Sequence, residues 1–135
     1  MNNSLIMMTN TGVSSVLANG IIPLPNIQRR RGRVIQNGSD SITLNAPGYY
    51  KVNATITFTA PAAGNVVIEL QKSGISVPGV IGSETITTAT TEVAQITLSG
   101  IVRVTCGEGV ASLTLVNTGV AITTSNVEID VEYLG

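Results

Sequence analysis

The sequence contains no histidine and no tryptophan, only one cysteine, and charged residues at just 11% of its 135 positions. Without histidine, the chain can form neither a Ser-His-Asp or Cys-His catalytic arrangement nor a histidine-ligated zinc site. The eight acidic residues are scattered along the chain without an aromatic platform for a sugar, which argues against a glycosidase. We therefore expect a protein that is not an enzyme and that holds no cofactor and no metal.

The single cysteine, Cys106, excludes an intrachain disulfide framework. It ends the apolar run IVRVTC, which begins at Ile101. Because free cysteines are among the most buried residue types, we expect Cys106 to be a small buried side chain.

Long apolar runs and a basic surface are also missing. No run approaches the roughly 20 residues of a transmembrane helix, and the N-terminus, MNNSLIMM, lacks the basic and apolar regions of a secretory signal. The net charge of −1 argues against nucleic-acid binding. We expect synthesis in the cytoplasm, no membrane or nucleic-acid partner, and, outside the cell, release by lysis or on an assembled particle.

What the sequence does contain is a succession of short β-strand patterns. The clearest follows the turn Pro47-Gly48, where apolar and polar side chains alternate over residues 50–58. Such alternation predicts an antiparallel strand with one buried face. The apolar members of this strand are Tyr50, Val52, Ala54, Ile56 and Phe58.

Turn signals separate further strands along the chain. Asn37-Gly38 and Ser73-Gly74 are two-residue hairpin signals, and we interpret Gly100 as a break between strands over residues 92–98 and 101–106. No segment shows a 3.6-residue hydrophobic period. About ten short strands without a helix predict one all-β domain over residues 1–135, a sandwich or a barrel. Within it, residues 1–33 form a less regular N-terminal strand or arm segment.

Four of the seven basic residues are clustered at Arg29, Arg30, Arg31 and Arg33. The cluster has three interpretations: a solvated loop, a docking surface for an acidic partner, or ion pairs with the acids of an adjacent subunit. As a docking surface, its guanidinium groups would recognise carboxylates, sulfates or phosphates of a capsid or other particle protein, or of a cell-surface glycan. Exposed ion pairs contribute only about 0–1 kcal/mol each.

The last strand pattern carries an acidic strip, Glu128, Asp130 and Glu132, at a spacing of two. Alternation places these carboxylates on one face of the strand, about 6.6–7 Å apart, and the apolar residues between them on the other face. A calcium site is one interpretation, although calcium ligands usually come from a loop that wraps the ion. We favour a solvated sheet face, or acids that pair with arginines across a subunit contact.

Only four aromatic residues are present, Tyr49, Tyr50, Phe58 and Tyr133. Because large rings dominate burial in an aliphatic core, we expect Tyr50, Phe58 and Tyr133 to pack in the core or in a trimer contact. Tyr49 falls on the opposite face from Tyr50, where it is a candidate platform for a sugar. The absence of tryptophan weakens that interpretation.

Three segments resemble a known family in their order and spacing: GYYKV at residues 48–52, LQKSGISVPG at 70–79 and TTSNVEIDVEYL at 123–134. They resemble the C-terminal globular domain of the collagen-like glycoproteins on bacterial spore surfaces. More distantly, the sequence is similar to complement-type and tumour necrosis factor-like jelly rolls and to short virion proteins of phages and prophages. The resemblance covers residues 34–134, and it implies an antiparallel jelly-roll β-sandwich that assembles as a homotrimer.

The resemblance also implies a trimeric surface head without enzymatic activity. Composition agrees, because a small chain with 43% hydrophobic and 11% charged residues has more apolar surface than its own core is expected to absorb. We expect a structural protein on the surface of a phage or prophage virion, such as a head decoration or a fibre knob. The alternatives are a carbohydrate- or receptor-binding surface head and a spore-surface component, the latter disfavoured by the missing collagen repeats.

Overall fold

The computed structural model describes residues 4–135, which form twelve β-strands and no helix. Residues 1–3 lie outside the described residues. They belong to the N-terminal segment that was predicted not to be a secretory signal. No helix in residues 4–135 is therefore long and apolar enough to cross a membrane. The strands are β1 (Leu5–Asn10), β2 (Ser14–Val16), β3 (Gly20–Ile21), β4 (Asn26–Arg31), β5 (Ile35–Asn37), β6 (Ile42–Leu44), β7 (Gly48–Thr59), β8 (Gly64–Lys72), β9 (Ile75–Ile86), β10 (Ala94–Val104), β11 (Ala111–Asn117) and β12 (Ile122–Tyr133).

The strands form two antiparallel sheets that enclose one apolar core. Sheet A has the order β10-β7-β12-β1-β4, with β2 paired to β12 at one end. Sheet B has the order β5-β6-β11-β8-β9, with β3 paired to β11. This arrangement confirms the predicted all-β jelly-roll sandwich.

The alternation predicted for residues 50–58 is confirmed in β7. All five apolar side chains from Tyr50 to Phe58 point into the core and are at most 2% exposed. Each buried aliphatic or aromatic side chain of this kind contributes about 1.5–3 kcal/mol relative to its exposed state. The polar residues between them lie on the outer face of sheet A, so β7 presents one face to the core and one to the surroundings.

The N-terminal residues are part of the same sandwich. β1 lies between β12 and β4 in sheet A, and its side chains Ile6 and Met8 belong to the common core. This placement brings β4, which carries three arginines, to the free edge of sheet A. Arg29, Arg30 and Arg31 are exposed, as the solvated-loop interpretation requires, but they lie in a strand and not in a loop, because β1 offers a backbone ladder that orders this segment.

Gly100 does not separate two strands, because β10 is continuous from Ala94 to Val104. A Cβ atom at Gly100 would lie 2.5 Å from Cγ2 of Val80, and one at Gly82 would lie 2.5 Å from Cγ2 of Ile96. The two glycines thus allow β9 and β10, the edge strands of the two sheets, to approach closely at one corner of the sandwich.

Two turns follow the sequence signals to different degrees. Ser73 and Gly74 have φ angles of 51° and 84° and join β8 to β9 as a two-residue hairpin, as predicted. The turn near Asn37 is longer than predicted and spans residues 38–41, where the Gly38 N–H donates to the Ser41 carbonyl at 2.8 Å.

The prediction for Cys106 is wrong, because its side chain is exposed. Inward-facing positions of β10 end at Val104, and Cys106 lies in the turn that follows. An apolar run that continues past the end of a strand does not remain in the core.

Candidate functional site

The acidic strip lies along β12 on the outer face of sheet A. Glu128 and Asp130 are half-buried and Glu132 is exposed, while the apolar side chains between them are buried in the core. The carboxylates therefore lie in the middle of a broad sheet face, with β7 on one side and β1 on the other.

Asp130 is the acid whose ionisation is most perturbed in this strip. Burial raises its pKa, and the neighbouring carboxylate of Glu128 raises it further because like charges repel. Asp130 thus holds a proton more readily than an ordinary aspartate. Within residues 4–135, no group of three or more His, Cys, Asp or Glu is placed to hold a metal ion, so the calcium interpretation gains no support from the geometry.

Apolar and basic side chains surround the strip. In the strand register, Glu132 lies opposite Lys51 of β7 and opposite Leu5 of β1, and Asp130 lies opposite Met7. Leu5 and Met7 are only half-buried, although they are large apolar residues near the middle of the sheet. The outer face of sheet A is consequently a mixture of acids, a lysine and uncovered apolar side chains.

The arginine cluster lies at the edge of the same face. Across β1, Arg29 is in register with Met7 and Arg31 with Leu5, so alternation directs both guanidinium groups to the outer face. Arg30 is directed to the other side of the strand. Arg33 follows β4 in an exposed turn.

A pocket of about 310 Å³ separates the arginines from the acids. Its floor is formed by Leu5 and Met7, and its walls include Arg29 and Asp130. Strands β4 and β12 flank β1 and are about 9.5 Å apart, twice the usual strand spacing. Within residues 4–135 the one ion pair joins Lys72 to Glu108 elsewhere in the fold, so the arginines and the strip share a face without pairing.

Tyr50 and Tyr133 are neighbours at one end of sheet A, and both bind the turn that precedes β7. Tyr50 is fully buried, and its hydroxyl donates to the Ala46 carbonyl at 2.5 Å. The Tyr133 hydroxyl donates to the Pro47 carbonyl at 2.8 Å, and the two rings are 5.0 Å apart. Burial raises the pKa of Tyr50, so its hydroxyl remains a donor at ordinary pH. Phe58 is also fully buried in the core.

Tyr49 lies on the outer face, and its side chain is 46% exposed. Its ring is partly covered, since the guanidinium carbon of Arg103 lies 5.7 Å from the ring centroid. A sugar would have to displace or share this arginine in order to stack on the ring.

A second surface was not anticipated from the sequence: a groove of about 500 Å³ between the hairpin end of sheet B and the end of β10. Apolar residues including Ile75 and Ile101 line it, together with Lys72, Arg103 and Glu108. Lys72 binds Glu108 at 3.0 Å. The backbone N–H of Thr105 and then Lys72 lower the pKa of Glu108 to about 2. Lys72 and Glu108 are 36 positions apart, and no local sequence signal links them.

No family model and no curated protein matches this sequence. Solved structures, in contrast, match the fold over almost the whole chain. They include Eiger, the tumour necrosis factor of S. frugiperda, with a TM-score of 0.75 and 11% identity over 100% of this chain and 94% of that one.

Two further structures widen the comparison. The globular domain of the zebrafish complement 1qA protein has a TM-score of 0.70 and 7% identity over 98% of each chain. The PRD1 vertex protein P5 has a TM-score of 0.59 and 16% identity over 100% of this chain and 99% of that one. None of these comparisons links the sequence to the collagen-like spore glycoproteins, so that part of the resemblance stays a prediction. What the comparisons show is the fold, a jelly roll of the tumour necrosis factor and complement type.

Proposed function

We propose that this protein is a non-enzymatic homotrimer and a structural component of the surface of a phage or prophage virion, as a head decoration, a fibre knob or a similar accessory. The fold likeness to a vertex protein, over the full length of both chains, supports a role on a particle. The observation that carries the proposal is the uncovered, mixed outer face of sheet A.

This face is suited to burial against copies of the same chain. Leu5 and Met7 are half-buried beside Asp130, Glu132 and Lys51, which form no ion pair within the described part of the chain. A neighbouring copy would cover the apolar side chains and offer charges of the opposite sign. An obligate interface of this kind buries more than about 2,000 Å².

The arginine cluster then serves as the docking surface. Three of its arginines lie on the edge strand β4, beside the proposed trimer contact, and Arg33 follows in the turn. Four positive charges without an ion pair among the described residues favour an acidic particle surface. Intersubunit pairing between arginines and the acidic strip is the alternative role for the cluster, and it predicts a trimer that dissociates at high salt.

Purified virions, induced from the strain that encodes the chain, provide the test. We expect the protein in the particles by mass spectrometry, and we expect recombinant protein to co-sediment with particles that lack it. Virions wholly devoid of the protein, combined with no co-sedimentation, would contradict the particle role.

A carbohydrate- or receptor-binding head is the second candidate, and the groove beside β10 favours it. In this groove, Arg103 has no ion-pair partner among the described residues. Apolar side chains and the ion pair between Lys72 and Glu108 line the rest of the groove. Such a mixture is typical of ligand grooves. A glycan array with the wild type and with Arg103→Ser tests this function: a hit lost in the variant supports it, and an array without hits counts against it.

A further inference from the structure

The edge of β4 is an open backbone ladder. β4 is the last strand of sheet A, pairs only with β1, and has all six residues exposed. In an antiparallel pair, alternate N–H and C=O groups of the edge strand point away from its partner. The register shifts at Gln28, so this alternation is regular over Arg29–Arg31, where the arginines lie. Across the described residues, the one side-chain hydrogen bond to the backbone of β4 is the 3.2 Å bond from Arg29 to the Gln28 carbonyl.

The arginine side chains on this edge disfavour pairing with a second copy of β4 and favour pairing with an acidic strand. Arg29 and Arg31 are on the same face, about 6.6–7 Å apart, and Arg30 is on the other. A second copy that paired β4 with β4 in parallel, or antiparallel with Arg30 at the centre, would bring arginines opposite arginines, so the edge resists these two forms of self-pairing. An added strand with carboxylates at alternate positions would instead place an acid opposite Arg29 and another opposite Arg31.

Among residues 4–135 there is no free strand of that kind. The carboxylates at alternate positions are on β12, which is paired on both sides. The other edge strands of the two sheets are β5, β9 and β10, and of these only β9 contains an acid, Glu84. None of these edge strands can therefore supply the match, and charge complementarity favours an acidic strand of another protein.

The edge is also held in place before any partner binds. Beyond β4, Gly32 turns the chain with a φ of 81°. The Val34 N–H donates to the Ser4 hydroxyl oxygen at 3.1 Å, and the Asn45 side chain donates to the Arg33 carbonyl at 3.4 Å. A fixed edge loses little conformational entropy on binding.

We propose that β4 accepts an extended acidic segment of a particle protein as an additional strand of sheet A. Main-chain hydrogen bonds along the edge supply affinity, and Arg29 and Arg31 select carboxylates on one face of the added strand. Strand addition extends the sheet sideways and leaves its outer face free for the trimer contact. The inference rests on the docking role proposed for the arginine cluster and specifies the chemistry of the partner.

Isothermal titration calorimetry of the full chain with a capped seven-residue peptide of alternating threonine and glutamate tests this proposal. We expect binding to the wild type, and an increase in Kd of roughly tenfold for the double variant Arg29→Ser/Arg31→Ser, since two exposed ion pairs are lost. Arg103→Ser, on the opposite edge of sheet A, is the matched control and should leave the Kd unchanged. Circular dichroism and native mass establish that each variant is folded and assembled.

Two further probes separate strand addition from simple attraction between charges. The same peptide with N-methylated threonines keeps its charge but loses backbone donors, so it should not bind. Hydrogen exchange should show protection of the β4 amides only with the unmodified peptide. Equal binding of the methylated peptide, or binding of heparin without binding of the peptide, would overturn strand addition.

Co-sedimentation with virions distinguishes this inference from the proposed function. If the peptide does not bind but particles still capture the wild type and not the arginine double variant, strand addition is wrong and the docking role stands. If particles capture neither protein, the docking role itself is wrong.

Discussion

The tyrosine pair at the start of β7 and the end of β12 allows a quantitative test of the sandwich. In Tyr50→Phe, the half-buried Ala46 carbonyl loses its donor, which costs about 1–2 kcal/mol of the free energy of unfolding. In Tyr133→Phe, the lost bond to Pro47 lies at the surface, where water replaces the donor, and the cost is about 0.5 kcal/mol. A loss of 1 kcal/mol corresponds to a decrease of about 4 °C in Tm for a domain of this size.

The double variant should cost less than the sum of the single variants. The two acceptors are consecutive carbonyls of one turn, and the rings lie 5.0 Å apart, so loosening the turn by one change weakens the second bond. We expect a coupling of up to about 0.5 kcal/mol, the whole cost of Tyr133→Phe, from urea unfolding at one fixed protomer concentration. An unchanged stability of Tyr50→Phe, or strict additivity, would refute the proposed joint role of these hydroxyls.

Three further predictions concern ionisation and exposure. Burial and the carboxylate of Glu128 raise the pKa of Asp130 in the folded state. Ionisation of Asp130 therefore lowers the free energy of unfolding as the pH rises through that pKa. This loss is absent below about pH 3.9, the pKa of aspartate in an unfolded chain. Asp130→Asn should therefore have a higher Tm than the wild type at pH 7 and an equal Tm near pH 3; a lower Tm at pH 7 would contradict this. The pKa of Glu108 is lowered to about 2, so its contribution is present above about pH 4.3 and is lost as the pH falls through 2. Glu108→Gln should lower the Tm at pH 7, with a difference that shrinks in acid, whereas a constant difference would exclude the carboxylate as its cause. The exposed Cys106 should react fully with a thiol reagent in the native protein without denaturant, and protection until unfolding would show that it is buried.

The sequence was sufficient for those parts of the fold that depend on local pattern. The alternation around Val52 and Ile56 predicted β7, and Ser73-Gly74 predicted the hairpin between β8 and β9. Both signals are local, since a strand with one buried face must alternate and a type I′ turn needs residues that tolerate a positive φ.

Features that depend on distant residues could not be predicted. In the sequence, Gly100 resembles a break between strands. In the fold, its missing side chain leaves room for Val80, so β9 and β10 can approach each other at the corner where the two sheets meet. Arg29 to Arg31 have no strand pattern of their own and are ordered by the free edge of β1. The pairing of Lys72 with Glu108 is set by tertiary structure alone.

The central claim, assembly of this jelly roll into a trimer, is tested most directly by native mass from size-exclusion chromatography with light scattering at low and high salt. We predict a mass three times the 13.9 kDa of the chain at both salt concentrations. A trimer at low salt alone would assign the arginines to intersubunit pairs with the acidic strip. A monomer at both would contradict the claim and leave the outer face of sheet A without a function as a subunit contact.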